Sequence, residues 1–272
     1  MITVISALPG FGKTLLFSYL MAQKTCIEGY DLYRNSCKLI EKYNNNGFKF
    51  SYPKQKHVTY FNGHARISVM GRPVKIPYVL NPWYLGLPTK ESEVDLVLPG
   101  SVLFIDEAQR YYNSRMSYYF PDYVSRFYEM HRHYRLTIYL IAQRAGLIDK
   151  NIRSIAQEFI YIDRLEKEED SLGNLIQAKW YIHRFNCYSD LEKYEEGNKE
   201  LGTEDIIVCN ENLYKFFDTH FFEFLYLNGN QDFSQEWLRP YRLMPDICEK
   251  LKEVWSATPP PTFFGDKRVA EA

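Results

Sequence analysis

The sequence predicts an α/β fold in which helices flank a mainly parallel central sheet, and three short segments carry that prediction. Met1 to Ala7 is a β-branched run that suits a buried strand. Thr14 to Gln23, after a glycine-rich turn, is apolar and unbroken enough for a helix. Val102 to Ile105 is apolar without alternation, as expected of a parallel strand covered on both faces. Strand, glycine turn and helix in this order open an α/β nucleotide-binding fold.

The other elements are predicted from periodicity and from turn residues. Helices are expected at residues 28–43 and 123–133, with further helical signal at 213–217 and 245–254. Strands, including a small β insertion, are expected at residues 57–61, 66–70, 74–79, 136–142, 158–162, 179–185 and 221–227. The order of these strands in the sheet stays open.

The chain divides into three predicted parts. Residues 1–190 form the nucleotide-binding core, with an insertion at about 45–95, and residues 191–256 form an extension packed on that core. Residues 257–272 contain three consecutive prolines and mixed charges, which is typical of an extended linker.

Composition narrows the function classes. With 33 basic and 34 acidic residues the net charge is −1, so the chain as a whole lacks the basic excess common among nucleic-acid binders. Its five cysteines are scattered and form no CxxC pair, which favours a reducing compartment over a disulfide framework or a zinc site. No signal peptide and no apolar run of membrane-spanning length is visible, so we expect a soluble protein.

A phosphate-binding loop is predicted between the first strand and the first helix. Residues 7–14 read ALPGFGKT, which fits the Walker A pattern GxxxxGK[ST] except that Ala7 replaces the first glycine. Small residues let successive backbone N–H groups point at phosphate oxygens, and the helix N-terminus adds its positive end. A chance turn without nucleotide is the alternative. We expect ATP to contact the loop through Pro9, Gly10, Phe11, Gly12, Lys13 and Thr14.

Two residues of this loop have distinct predicted roles. Lys13 should reach the β- and γ-phosphates, and the Thr14 hydroxyl should ligate Mg²⁺. Ala7 fits the loop provided that its backbone keeps a negative φ.

The strand at residues 102–105 ends in two carboxylates, a Walker B pattern. Asp106 is expected to hold Mg²⁺, directly or through water. Glu107 is expected to polarise the attacking water, as a general base or an orienting group. The alternative is a strand that merely leaves the core, but the phosphate loop in the same chain favours the functional interpretation.

Further candidates surround these motifs. Gln143 ends the strand at residues 136–142, where a γ-phosphate sensor sits in this ATPase class; the alternative is a solvent-facing strand end. His131 and His133 lie two apart, on different helix faces, which favours packing or a subunit contact over a shared metal. An arginine that acts on a neighbouring subunit's site is also expected, although each candidate could equally be a solvated surface charge. The five candidates are Arg110, Arg132, Arg135, Arg144 and Arg153.

An aromatic cluster follows the Walker B motif. Its rings could stack on single-stranded bases, but few basic residues are interleaved, so a core or a subunit interface is favoured. The cluster consists of Tyr111, Tyr112, Tyr118, Tyr119, Phe120 and Tyr123.

Three segments together resemble the zonula occludens toxin (Zot) family, which includes the inner-membrane assembly ATPases of filamentous phages. They are LPGFGKT at residues 8–14, PGSVLFIDEAQR at 99–110 and HRHYRLTIYLIAQRAGLIDKNIR at 131–153. The resemblance covers roughly residues 1–185, and residues 129–153 are its most specific part.

The resemblance implies an FtsK/HerA-like P-loop NTPase of the additional-strand catalytic-glutamate type. Such a protein uses ATP and Mg²⁺ and works as a homo-oligomeric ring, with a hexamer favoured, at the cytoplasmic face of the bacterial inner membrane. It would drive export of single-stranded DNA during virion assembly, touching that DNA transiently and acting with phage or host inner-membrane assembly proteins. By motif, the roles carried over are those of Lys13, Thr14, Asp106, Glu107 and Gln143.

The sequence departs from the family in two respects. Arg135 stands where members often have glycine, which should alter the loop before the next strand. Members also usually continue into a membrane-spanning helix and a periplasmic part, so membrane association here would need a missing segment or a separate partner. The toxin activity belongs to that absent region and is not carried over.

Three other functions stay open. A HerA-like ATPase could translocate or package DNA outside filamentous assembly, and a scaffold could bind ATP to assemble with little turnover. A small-molecule kinase is weaker, because we find no arginine-dense loop that would close over the phosphates.

Overall fold

The computed structural model describes residues 1–62, 77–80, 82, 85, 97–115, 122–171 and 175–210. Its strands in that part of the chain are β1 Ile2–Ser6, β2 Thr59–Phe61, β3 Tyr78–Val79, β4 Val102–Ile105, β5 Thr137–Ala142, β6 Glu158–Glu169, β7 Leu175–Phe185 and β8 Thr203–Asn210. The α-helices are α1 Lys13–Ala22, α2 Gly29–Asn45, α3 Asp122–Met130, α4 Lys150–Ile155 and α5 Tyr188–Glu195, and a π-helical turn at Gln23–Ile27 joins α1 to α2.

The described strands form one eight-stranded sheet in the order β3-β2-β4-β5-β1-β6-β7-β8. The first six strands in this order, from β3 through β2, β4, β5 and β1 to β6, pair in parallel. Strands β7 and β8 add to the sheet in antiparallel fashion. Strand β5 lies between β1, which leads into the phosphate loop, and β4, which ends at the acidic pair. Strand β5 is therefore the additional strand of the predicted class. The predicted fold class is therefore confirmed.

The central strands are buried on both faces, as their uninterrupted apolar sequences predict. On one face α1 covers the sheet, and the Phe17 ring lies 5.5 Å from that of Phe61 and 5.1 Å from that of Phe104, measured between centroids. On the other face α2 and α3 insert Ile40 and Phe127, which are fully buried. This two-sided core fixes the sheet edge at which the candidate site lies.

The antiparallel strands of the sheet are longer than the sequence predicts. The strand expected at residues 158–162 continues to Glu169, and its partner begins at Leu175 rather than at residue 179. Most side chains from Asp163 to Glu169 are exposed, so this half of β6 lacks the alternation of buried and exposed residues that predicts a strand; the buried face of the ribbon comes mainly from its partner β7, through Ala178 and Trp180. Neither α5 nor β8 was predicted.

Several predicted boundaries stay predictions. Strands β2 and β3 extend the main sheet from within the proposed insertion, and β8 joins the same sheet beyond residue 190. The elements predicted at 66–70, 213–217, 221–227 and 245–254 lie outside the described residues, as do residues 74–76 of the strand expected at 74–79. Among the helices that the structure describes, none has the length and apolar character needed to cross a membrane.

Candidate functional site

The carboxyl ends of β1, β4 and β5 meet at one edge of the sheet. Parallel pairing aligns Ser6 with Ala142 and Ile105 with Leu140, so the residues after all three strands emerge side by side. Open parallel sheets bind ligands at this edge. The phosphate loop, the acidic pair and Gln143 thus share one location.

The phosphate loop adopts the backbone that its glycines allow. Gly10 has a φ of 87° and Gly12 a φ of 70°, both in the left-handed region. A Cβ on Gly12 would lie 2.5 Å from Leu165 Cδ2 and 3.2 Å from Trp180 Nε1, whereas a Cβ on Gly10 would meet nothing within 4 Å. Both positions therefore favour glycine by conformation, and at Gly12 a side chain would in addition have to displace the end of the Leu165 side chain.

The phosphate loop tolerates Ala7 in place of the first glycine of the Walker A pattern. Among the described residues only Glu107 and Arg135 combine a side chain with a positive φ, so Ala7 keeps the negative φ that its role requires. Its buried side chain packs in the core on the α1 face.

Lys13 begins α1 and folds back over the loop. Its Nζ donates to the carbonyl oxygens of Ala7 at 2.7 Å and Leu8 at 3.0 Å. Burial lowers the pKa of Lys13, and the charges of Glu107 and Asp106 oppose that shift. The loop lysine therefore lies within electrostatic reach of both carboxylates, as the two motifs together predict.

Asp106 is a half-buried acid whose carboxyl group is largely desolvated. Burial, followed by the neighbouring Glu107 charge, raises the pKa of Asp106 from 3.8 to about 6. The N–H of Glu107 donates to Asp106 Oδ1 at 2.8 Å, which fixes that oxygen. A desolvated carboxylate of this kind gains from a nearby cation, so the site fits the predicted magnesium ligand.

Glu107 takes a backbone conformation that is rare for a side-chain-bearing residue, with φ 50° and ψ 44°. Its carboxylate accepts a hydrogen bond from Gln109 Nε2 at 2.5 Å and lies 4.0 Å from Arg110 Nε. The side chain is 33% exposed, so water can reach it. Strain of this kind persists at functional sites when the surroundings impose it.

The remaining predicted site residues lie where expected, while their roles stay predictions. Gln143 is exposed directly after β5, and Thr14 lies in the first turn of α1. Pro9 is exposed and Phe11 is half-buried in the loop. Among the described residues no cluster of three or more His, Cys, Asp or Glu side chains is placed to hold a metal ion. Mg²⁺ commonly takes one or two protein ligands together with phosphate oxygens of the nucleotide. Thr14 and Asp106 could supply the protein ligands.

The candidate arginines separate by position. Arg132 and Arg135 lie in the turn that precedes β5, at the sheet edge opposite the phosphate loop. Arg153 donates to the Ile148 carbonyl oxygen at 2.9 Å, and its guanidinium lies 4.0 Å from the centroid of a tyrosine ring. Arg110 beside Glu107 and Arg144 after β5 lie at the carboxyl edge.

Histidine and aromatic candidates have packing roles where they are described. His131 is buried, its Nδ1 bonds the Tyr128 carbonyl, and burial lowers its pKa. Tyr112 is buried, donates to the Pro82 carbonyl oxygen at 3.0 Å and meets the Tyr128 ring edge-on. Tyr118, Tyr119, Phe120 and the Tyr123 side chain lie outside the described residues.

Arg135, the departure from the family pattern, has a φ of 51°. That is the conformation in which glycine has no steric penalty and arginine does. The glycine expected from the family therefore matches the backbone found here.

Sequence reasoning missed the residues that support the site from distant parts of the chain. Asn62, at the end of β2, bonds the backbone of Asp106, and Trp180 donates its indole N–H to the Gly12 carbonyl oxygen at 3.2 Å. A polar residue directly after the β2 run is the same signal that identified Gln143, and it could have identified Asn62. No local pattern marks Trp180, because 168 residues separate it from Gly12.

The comparisons with known proteins give one family and several structures. Residues 87–196 match the family model described as zonular occludens toxin (Zot). The chain is similar to the N-terminal domain of zonular occludens toxin from Neisseria meningitidis, with 18% identity over 80% of this chain and 98% of that chain and a TM-score of 0.43. No curated protein sequence matches the chain significantly.

Structures of a viral protein are also similar, namely the genome packaging NTPase B204 from Sulfolobus turreted icosahedral virus 2. Its sulfate complex is 11% identical over 76% of this chain and 94% of that chain, with a TM-score of 0.35. Its AMPPCP complex is 11% identical over 80% and 95%, with a TM-score of 0.36. The family match spans Asp106, Glu107 and Gln143, and over residues 87–196 it confirms the predicted resemblance of this chain to the Zot family.

Proposed function

We propose that this chain is an ATP-hydrolysing motor of the Zot type, which drives export of single-stranded DNA during phage morphogenesis at the bacterial inner membrane. The observation that carries the proposal is that Lys13, Asp106 and Glu107 all lie at one edge of the sheet, with β5 between β1 and β4. The family match supports the phage context.

The phosphate loop supplies the binding step. The left-handed Gly10 and Gly12 and the start of α1 provide backbone N–H donors for a triphosphate. Lys13 would exchange the carbonyl oxygens of Ala7 and Leu8 for phosphate oxygens, which are stronger partners for an ammonium group. Thr14 and Asp106 would hold Mg²⁺, which neutralises charge on the phosphates when bound.

Glu107 supplies the chemical step. Its carboxylate would orient a water molecule towards the γ-phosphorus and accept a proton from it. The water oxygen bonds to phosphorus while the bond from phosphorus to the bridging oxygen breaks, giving ADP and inorganic phosphate. The Gln109 hydrogen bond keeps the carboxylate of Glu107 aimed during this step.

The motor would work as a ring, with a hexamer favoured. A neighbouring subunit's arginine would complete each site, so that release of phosphate moves one subunit against the next. Phage or host inner-membrane proteins would tether the ring to the cytoplasmic face of the membrane, and single-stranded DNA would be touched only transiently.

The test is ATP hydrolysis with and without Mg²⁺, measured against protein concentration in the presence of single-stranded, double-stranded or no DNA. We expect turnover per subunit to rise cooperatively with concentration, to vanish in Lys13→Ala and to respond to single-stranded DNA. Stimulation by double-stranded DNA alone would favour a HerA-like packaging ATPase. Tight ATP binding without turnover would favour a scaffold, and constant activity down to the monomer would refute the shared site.

A further inference from the structure

We infer that Asn62 is a positioning residue for hydrolysis, because it fixes the peptide that carries Asp106 and presents Glu107. This inference rests on the proposed ATPase function and adds a residue that lies outside both Walker motifs. Asn62 follows β2 directly and is only 8% exposed.

Asn62 continues the pairing of β2 with β4 by means of its side chain. The strands pair in parallel up to Phe61 and Phe104, and the Asn62 N–H donates to the Phe104 carbonyl oxygen at 3.3 Å. Beyond that point Asn62 Oδ1 accepts from the Asp106 N–H at 2.9 Å, and Asn62 Nδ2 donates to the Asp106 carbonyl oxygen at 2.9 Å. Both backbone groups of Asp106 are thus held by one amide.

A third contact joins Asn62 to the far side of the acidic turn. Burial raises the pKa of the Tyr111 hydroxyl and the Asn62 side chain opposes that shift, so the two side chains are neighbours; Tyr111 follows directly after the 3₁₀ turn Ala108–Arg110. An amide nitrogen carries two hydrogens, so Asn62 can serve Asp106 and Tyr111 together. Asn62 therefore holds the start of the segment that contains Glu107 and lies beside its end.

The left-handed backbone of Glu107 needs such support. Its N–H is held by Asp106 Oδ1 at 2.8 Å, and its carbonyl oxygen accepts from the Arg110 N–H at 2.8 Å. These bonds define Glu107 only as long as Asp106 itself stays fixed. Without Asn62, the Asp106 peptide can rotate and let Glu107 relax to an unstrained conformation, which moves its carboxylate.

The chain contains a matched control for this arrangement. Asn44 holds the backbone of Phe50 in the same way, with Phe50 N–H to Oδ1 at 2.7 Å and Nδ2 to the Phe50 carbonyl oxygen at 2.9 Å. Phe50 packs with Tyr43 and Tyr134, near the turn that precedes β5 at the opposite edge of the sheet. Asn44→Ala therefore removes an equivalent pair of bonds without touching the acidic turn.

The experiment compares Asn62→Ala, Asn62→Asp and Asn44→Ala with the wild type in the full chain. Misplacement of a reacting group by about 1 Å can reduce rates about 100-fold. We expect both Asn62 variants to lower kcat at least about tenfold while Kd for ATP changes less than about threefold, since the phosphate loop is intact. The Asp106 amide should exchange its hydrogen faster, and Asn44→Ala should change stability but not kcat.

Two results would overturn the inference. One is kcat within about twofold of wild type in Asn62→Ala; the other is equal losses of kcat in the Asn62 and Asn44 variants, which would mark a merely structural role. Asn62→Asp keeps the size and the acceptor but loses the donor, so it tests the bond to the Asp106 carbonyl if the alanine variant does not fold. A wild type that binds ATP without turnover would instead refute the proposed function.

Discussion

The phosphate loop and the acidic turn both depend on left-handed backbone, but they reach it by different means. In the loop the left-handed positions are Gly10 and Gly12, for which this conformation is sterically free. In the turn the left-handed residue is Glu107, whose side chain pays a steric penalty of about 1–2 kcal/mol. Glycine thus occupies the positions where only the backbone is needed, and strain is retained where a particular carboxylate must stand.

Arg135 is a third left-handed position, and it lies far from the site. It has nearly the same φ as Glu107, 51° against 50°, but lies in an exposed turn at the opposite sheet edge. If strain at Glu107 serves function, a glycine substitution should increase the unfolding free energy at both positions. It should abolish ATP turnover only at Glu107.

The largest effect is expected from Gly12→Ala. The new methyl would meet Leu165 Cδ2 at 2.5 Å in addition to the left-handed backbone, so we expect a loss of about 2–5 kcal/mol of unfolding free energy. Gly10→Ala is the control, because its methyl meets nothing within 4 Å and only the backbone penalty of about 1–2 kcal/mol remains. Denaturant unfolding measures both; equal losses would contradict the role of the Leu165 and Trp180 contacts.

A pH-dependent effect is expected at Asp106. Its pKa is raised from 3.8 to about 6 in the folded chain, so the folded state binds this proton more tightly than the unfolded state. The resulting stabilisation is complete below pH ~4 and is lost as the pH rises through about 6, a change of about 3 kcal/mol. Asp106→Asn should therefore be more stable than wild type at pH 8 and equal to it near pH 4.

Denaturant unfolding across that pH range measures this prediction, with Asp163→Asn as a control at an exposed carboxylate. The same ionisation should govern turnover, which is expected to rise as the pH increases through about 6. A flat difference in stability between wild type and Asp106→Asn at all pH values would contradict the burial of this acid.

A smaller effect is expected from Glu107→Gly. Glycine relieves the left-handed strain and removes the charge that faces Asp106, so unfolding free energy should increase by about 1 kcal/mol while ATP turnover is lost. Thermal unfolding and an ATPase assay measure the two quantities. A destabilised variant would show that the contacts of the Glu107 carboxylate with Gln109 and Arg110 outweigh the backbone strain.

The smallest effect is expected from Arg135→Gly. The same backbone relief, reduced by the entropy that glycine loses on folding, should add about 0.5 kcal/mol to stability. ATP turnover should be unchanged, because the turn lies at the far edge of the sheet from its own site; a loss of turnover would instead identify Arg135 as the arginine that completes the neighbouring subunit's site. Arg132→Gly in the same turn is the control, since Arg132 has no positive φ and should lose stability instead.

Most of the site could be predicted because its signals are local. Lys13, Asp106 and Glu107 stand beside buried strands whose apolar runs are unmistakable, and parallel pairing then brings them to one edge. Asn62 was missed because its contact with Asp106 spans 44 residues, although its place after a short apolar run was a usable signal. The strand predicted at residues 158–162 ended too early because most side chains from Asp163 to Glu169 are exposed and do not alternate with buried ones.

We propose that this edge of the sheet binds ATP through Lys13 and hydrolyses it through Glu107. The most direct test measures ATP binding and ATP turnover side by side for the wild type, Lys13→Ala and Glu107→Gln. We predict that Lys13→Ala loses both, and that Glu107→Gln keeps binding while turnover falls by about 10²–10⁴-fold. Turnover at the wild-type rate in Glu107→Gln would contradict the claim.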